Sequence, residues 1–209
     1  MPTPTTRIAI LISGRGSNCL AILHAIQQGR LAHCEVAVVL SNVASAPGLE
    51  AARALGVHAV ALESRGRPQA EHEQAVLALL EELRVDLVCL AGYMRLLSAS
   101  FVRRFPNRLL NIHPSLLPSF PGLHAQRQAL DYGVTVAGCS VHFVDETTDG
   151  GILILQRTVE ILPHDTEHTL SARILTEEHT AYVEAIARVL SNNYEIHARR
   201  YLPKAVSSE

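Results

Sequence analysis

RIAILISGRGSN, residues 7–18, sets a β-branched apolar run directly against a glycine-rich turn. A short apolar run that stops at such a turn reads as a buried strand. Apolar residues at Leu20, Ile22, Leu23 and Ile26 then recur at helical spacing and end at Gly29, so the turn joins a strand to a helix. Gly14 and Gly16 permit a tight turn and close approach to a ligand, and free amides at a helix start favour an anion. The Ser17 hydroxyl and Asn18 amide add donors; the plainer alternative is a tight turn with a serine cap. A Walker loop needs Gly-Lys-Ser/Thr, and this turn has no lysine. A dinucleotide fingerprint wants a third glycine where Cys19 stands, and an acid at the end of strand two, where Ser41 and Asn42 stand. A phosphate monoester suits the loop best.

The alternation continues outward from this unit. EVAVVL (35–40), VHAVAL (57–62), DLVCLAG (86–92) and RLLNI (108–112) read as further strands. Residues 47–55 and 69–84 read as helices between them, the second with Val76, Leu77, Leu79, Leu80 and Leu83 inward and glutamates outward. Strands apolar throughout, alternating with helices, predict an α/β fold with a doubly wound, mainly parallel sheet. After residue 130 the pattern changes. VTVAGCSVHFV (134–144) and ILILQRTVEI (152–161), separated by DETTDGG, predict an antiparallel pair beside that sheet. Residues 166–190 form the longest helix candidate, capped by Asp165 or Thr166. Residues 191–209 read as a surface tail. With no repeat or linker, one domain over residues 1–209 is expected, its core at about 7–190.

Composition agrees. Of 209 residues, 48% are hydrophobic and 18% charged, enough for a substantial core. A net charge of −2 argues against a general polyanion-binding surface, so nucleic acid is not an expected partner. No apolar run approaches the ~20 residues of a membrane span. The opening MPTPTT lacks the pattern of a secretion leader. Cys19, Cys34, Cys89 and Cys139 form no C-x-x-C pair, which points to reduced thiols and a cytoplasmic location.

A second motif lies at the end of strand five, Asn111-Ile112-His113-Pro114. Ligands bind outside the carboxyl ends of strands in open α/β sheets. Strand alternation puts Asn111 and His113 on one side, an amide donor beside a titratable imidazole, with Pro114 stiffening the turn. In VHFVDETTDGG (141–151), Asp149 before two glycines suits a turn. It also suits a carboxylate presented to His113, so that the imidazole can carry and donate a proton. His142 is a second polar group nearby. No metal is expected, since no H-E-x-x-H occurs and nothing completes a ligand set around His164 and His168. No G-x-S-x-G elbow supports a serine hydrolase, and Pro114 separates Ser115 from His113.

Together these residues resemble the folate-dependent formyltransferases, from the first strand to about residue 190. The markers are ISGRGSN (12–18), LAGYMRLL (90–97), LLNIHPSLLPSFPG (109–122), GCSVHFVDETTDGG (138–151) and TEEH (176–179). The resemblance implies a Rossmann-like formyltransferase fold and transfer of a formyl group from 10-formyltetrahydrofolate, a co-substrate, to an amine without a metal. The glycine loop with Ser-Asn points to members that act on glycinamide ribonucleotide in de novo purine biosynthesis. On this basis Gly16, Ser17 and Asn18 take the phosphate, and Gly92, Pro114 and Glu178 line the ribonucleotide path, Glu178 on the ribose hydroxyls. Met94, Arg95, Leu96 and Leu97 border the folate, with Asn111 also facing it. The backbone of Val144, Asp145, Glu146, Thr147, Thr148 and Asp149 meets the pterin. Asn111, His113 and Asp149 match the catalytic trio. The implied partners are these two small molecules, and the implied assembly is a monomer or homodimer.

Two positions depart from the family pattern. Gln69 stands where an arginine often helps bind substrates, with Arg67 nearby, and Tyr93 stands where phenylalanine is commoner. The competing expectations are a 10-formyltetrahydrofolate hydrolase and a non-catalytic phosphate- or folate-binding module. A transfer-RNA formyltransferase would need a further C-terminal domain and a basic surface.

Overall fold

Seven strands form one sheet in the order β3-β2-β1-β4-β5-β6-β7, in a computed structural model that describes residues 5–204. Residues 1–4 and 205–209, at the two extremes of the expected leaderless start and surface tail, lie outside the described residues. The parallel part comprises β1 (Thr6–Ile12), β2 (Cys34–Ser41), β3 (Ala59–Ala61), β4 (Leu87–Leu90) and β5 (Leu109–His113). β6 (Val136–Phe143) and β7 (Leu153–Glu160) add antiparallel, as the change of pattern after residue 130 predicts.

Alternation along each strand feeds two cores. Ile8, Ile10 and Ile12 of β1, with Cys89, Leu110 and Ile112, pack under α1 (Ser17–Gln27), α2 (Pro47–Ala54) and α6 (Glu167–Leu190). Ala9, Leu11, Val88, Leu90 and Leu109 pack on the other face, under α3 (Gln69–Glu82) and α4 (Ala99–Val102). Covering both faces explains why these strands are apolar throughout. At the sheet's centre the Tyr182 hydroxyl, fully buried on α6, lies 2.9 Å from the Leu90 carbonyl and 3.1 Å from that of Leu110. It thereby ties the ends of β4 and β5 to the long helix.

The α6 cap is Thr166, whose side chain accepts from the Thr169 amide while the Thr169 hydroxyl accepts from the Thr166 amide. Asp165 is occupied by Arg173 at 2.7 Å. All four cysteines are free thiols. Burial pushes those of Cys19 and Cys139 up to about 12, which keeps them protonated and inert.

The structure corrects the sequence reading in four places. Residues 191–204 are not merely a surface tail: β8 (Tyr194–His197) and β9 (Arg200–Pro203) form a hairpin. Its Tyr194 stacks on Tyr201 at 4.6 Å and lies 6.2 Å from Phe143, so apolar contact docks it on the core. Arg199, in the hairpin turn, donates to the Gly150 carbonyl. The one-turn α4 and the polar α5 (Ala125–Tyr132) were not anticipated. Glu73, expected on the outer face of α3, is buried because it accepts from the Ser98 amide at 2.8 Å and from the Ser98 hydroxyl.

Candidate active site

Strand order reverses between β1 and β4, and ligand sites of open α/β sheets form outside such a point. Two clefts open there, one on each side of the segment that leaves β4. The larger, about 990 Å³, is lined by Ser13 to Asn18, Ala91, Gly92 and Met94, with Gln126 from α5 and Ser171, Leu175 and Glu178 from α6. The smaller, about 580 Å³, lies on the α3/α4 side. Its walls are Leu90, Tyr93, Arg95 to Leu97, Val102, Asn111, His142 and Val144 to Asp149.

In the larger cleft the glycine loop turns on Gly16, at φ +72°. A side chain there would be strained and would meet the Gly48 Cα at 3.1 Å, so only glycine fits. Gly16 caps α1 without a side-chain hydrogen bond, which excludes the serine cap. The amides of the first helical turn have no intrahelical acceptor, and Gly16, Ser17 and Asn18 line the cleft, an arrangement that suits an anion. The Asn18 side chain is otherwise engaged: its amide donates to Glu178 at 2.7 Å. Burial raises the Glu178 carboxyl, while that hydrogen bond and nearby His113 draw it back down.

The candidate reacting groups stand at and around the end of β5. Antiparallel register pairs Asn111 with His142 and His113 with Ser140. The His142 Nδ1 lies 2.9 Å from the Phe143 carbonyl, which can only accept, so Nδ1 carries the proton and Nε2 is an acceptor. Asn111 Nδ2 donates to that Nε2 at 3.2 Å, which fixes the amide's orientation. Asp149 arrives from the β6–β7 loop in the left-handed region, at φ +52°. Its Oδ2 lies 3.4 Å from His113 Nδ1 and accepts from the Gly122 amide at 2.7 Å. The other ring nitrogen of His113 faces the Phe120 carbonyl at 3.0 Å. Each ring nitrogen of His113 thus faces an acceptor oxygen, the pattern that an imidazolium matches. His113 is buried and Asp149 is largely but not fully covered.

Most of the residues singled out in the sequence group around the two clefts. Gly16, Ser17, Asn18, Gly92 and Glu178 share one cleft; Arg95, Leu96, Leu97, Asn111 and residues 144–149 share the other. Met94 lines the larger cleft, apart from Arg95, Leu96 and Leu97. Its amide donates to the Ser13 hydroxyl at 2.7 Å, which turns the residue into the larger cleft. Pro114 lines neither cleft. Gln69 lines neither as well, because its amide group donates to Glu73 and to the Leu96 carbonyl. Ser115 donates to the Ser119 carbonyl at 2.6 Å and so has no tie to His113. Sequence reasoning missed Gln126, Ser171 and Leu175. The last two share a face of α6 with Glu178 at helical spacing, a signal that could have found them. No group of His, Cys, Asp and Glu suited to a metal ion occurs among the described residues, and no helix there is long and apolar enough to cross a membrane.

Burial also sets a pH dependence of stability. His72, His142 and His179 are held below the ordinary value of 6.5 chiefly by desolvation. Below that value the unfolded chain binds protons that the folded chain refuses, so stability falls as pH falls. Glu178, raised by burial, works oppositely between its folded value and 4.5, one group against three. The thermal midpoint is expected to drop from about pH 7.5 to about pH 5.5. A flat or rising midpoint would contradict neutral buried histidines.

An anion-suited loop and two clefts, with a histidine–aspartate pair beside the smaller one, give an α/β fold with room for two ligands. Residues 6–186 match the formyl transferase family. The Escherichia coli phosphoribosylglycinamide formyltransferase is 41% identical over 191 residues, 91% of this chain and 90% of that protein. The trifunctional purine biosynthetic protein adenosine-3 of Drosophila pseudoobscura is 46% identical over 190 residues, but the chain spans only 14% of its length. The crystal structure of glycinamide ribonucleotide transformylase 1 from Symbiobacterium toebii superposes with a TM-score of 0.93 at 49% identity, covering 96% of this chain and 95% of that one. The chain belongs to the formyl transferase family.

Proposed function

We propose that this chain, as one domain, transfers the formyl group of 10-formyltetrahydrofolate to the amine of glycinamide ribonucleotide, releasing tetrahydrofolate and the N-formyl product. The observation that supports this reading is the meeting of Asn111, His113 and Asp149 at the edge of the smaller cleft, with His113 near enough to Glu178 of the larger cleft to draw its carboxyl down. One cleft ends in an anion-suited helix start with a carboxylate, Glu178, deeper in. The other is half apolar wall and half exposed loop backbone, suited to a flat, hydrogen-bonding ring. The relatives' names supply the glycinamide ribonucleotide and the formyl transfer, the family resemblance supplies the folate donor, and a place in purine biosynthesis suggests cytoplasmic work.

The amine lone pair attacks the formyl carbon, and the carbonyl electrons move onto oxygen. Asn111, held by His142, keeps one N–H for that oxygen, and a charged His113 stabilises it further. Asp149 holds the imidazole and takes up the proton that the new ammonium must lose. Collapse breaks the bond from carbon to N10, which receives a proton as it leaves.

The test follows folate deformylation spectroscopically with and without glycinamide ribonucleotide. Release that requires the amine, with formation of the N-formyl product, is the expected result. Release that ignores the amine would make the chain a hydrolase, and no release would leave a binding module.

A further inference from the structure

The segment that leaves β4 builds one wall of the smaller cleft through Tyr93, Arg95, Leu96 and Leu97. It contains no regular structure, so its shape depends on what holds it. Three successive contacts come from one face of α3. Gln69 donates to the Leu96 carbonyl at 3.0 Å. Glu73 accepts from the Ser98 amide and hydroxyl and also from Gln69 at 2.9 Å. His72 Nε2 meets the Tyr93 hydroxyl at 2.8 Å.

The His72–Tyr93 pair costs the fold stability. His72 is 1% exposed, and its Nδ1 has no hydrogen-bond partner. Burial, with Arg95 and Arg67 nearby, disfavours its charged form. A neutral ring bonded to Tyr93 through Nε2 therefore leaves Nδ1 unsatisfied in either tautomer, whereas removing both polar partners, as in His72→Leu with Tyr93→Phe, would leave nothing unsatisfied. What the imidazole does achieve is orientation. It draws the Tyr93 hydroxyl back under α3, so that the aromatic ring, not the hydroxyl, faces the cleft. His72 itself lines neither cleft.

We propose that Gln69, His72 and Glu73 are positioning residues for the folate, which fix the wall formed by residues 93–97 and so set affinity for formyl-folate without touching it. The proposal rests on the assignment of the smaller cleft to folate made above. Polar groups on a packed helix locate a loop more sharply than apolar contact does, because each has one geometry.

The test measures steady-state kinetics of the intact protein with both substrates, together with calorimetric binding of tetrahydrofolate. Glu73→Ala is expected to raise KM for 10-formyltetrahydrofolate and Kd for tetrahydrofolate about tenfold, with Glu73→Gln intermediate. The KM for glycinamide ribonucleotide and kcat should stay within about twofold. Tyr93→Phe should weaken folate binding several-fold, and adding His72→Leu should restore part of that loss by removing the stranded imidazole. A Tyr93 that acted by direct contact would show no such rescue. Circular dichroism checks that each variant is folded, and the near-isosteric Tyr93→Phe pair carries the test if Glu73→Ala does not fold. Equal folate affinity in all variants overturns the proposal, as does a parallel change in both KM values and kcat. A wild-type chain that binds no tetrahydrofolate overturns the assignment of the cleft, and this proposal with it.

Discussion

His113→Ala is expected to lower kcat about 10²–10³-fold, because one preorganised donor to a developing oxyanion stabilises the transition state by about 2.7–4 kcal/mol. The substitution removes the imidazole that stands between Asp149 and the Phe120 carbonyl. It leaves the glycine loop and the Tyr93–Leu97 wall untouched, so both KM values should change little. Asp149→Asn should give a loss of the same order by a different route. The amide keeps an acceptor for the Gly122 amide at 2.7 Å but brings no negative charge to His113 Nδ1. The measurement is kcat and both KM values for each variant, with the thermal midpoint as a check on folding. Full turnover in either would remove that residue from the mechanism.

Gly151→Ala should damage stability and activity together. A Cβ on Gly151 would sit 1.7 Å from the Phe143 carbonyl oxygen and 2.8 Å from its carbon. That collision is with backbone, and no rotamer change relieves it. The displaced carbonyl is the one bonded to His142 Nδ1, and His142 in turn orients Asn111. Opening the mouth of the β6–β7 hairpin also moves Asp149, two residues away. Overpacking of this kind costs on the order of 1–3 kcal/mol or more. The expected result is a lower thermal midpoint with a fall in kcat of at least about tenfold, since misplacing reacting groups by about 1 Å can cost 10²-fold. An unchanged midpoint would show that the hairpin mouth is looser than its backbone contacts indicate.

Much of the fold was legible because its strands are buried on both faces, so β1, β2 and β4 carry unbroken apolar runs and β5 is broken only by Asn111 and His113. α1 and α6 showed their periodicity for the same reason. The elements missed lack that signal. α4 is a single turn, and α5, AQRQALDY, is polar and starts from His124 in the left-handed region. The β8–β9 hairpin turns on Ala198-Arg199 without a glycine, although Tyr194 and Ile196 alternate as strand residues do.

At the site, parity placed Asn111 and His113 together, and the family resemblance supplied their chemistry. The approach of Asp149 to His113 was expected, but its geometry could not be read from the chain. It depends on the antiparallel return of β6 alongside β5, a long-range pairing that leaves no local mark. The placement of Met94 in the larger cleft was illegible for a similar reason: a hydrogen bond to Ser13, eighty-one positions away, holds its backbone.

The turn at Phe120–Gly122 carries no reacting side chain, yet its carbonyl faces His113 and its amide donates to Asp149. A buried carboxylate or imidazole without such partners would either destabilise the fold or hold water that each arriving substrate must strip away. With the turn in place, a substrate that engages either group exchanges one hydrogen bond for another and avoids that desolvation. The reacting pair is in effect already solvated, by backbone instead of water, before any ligand arrives.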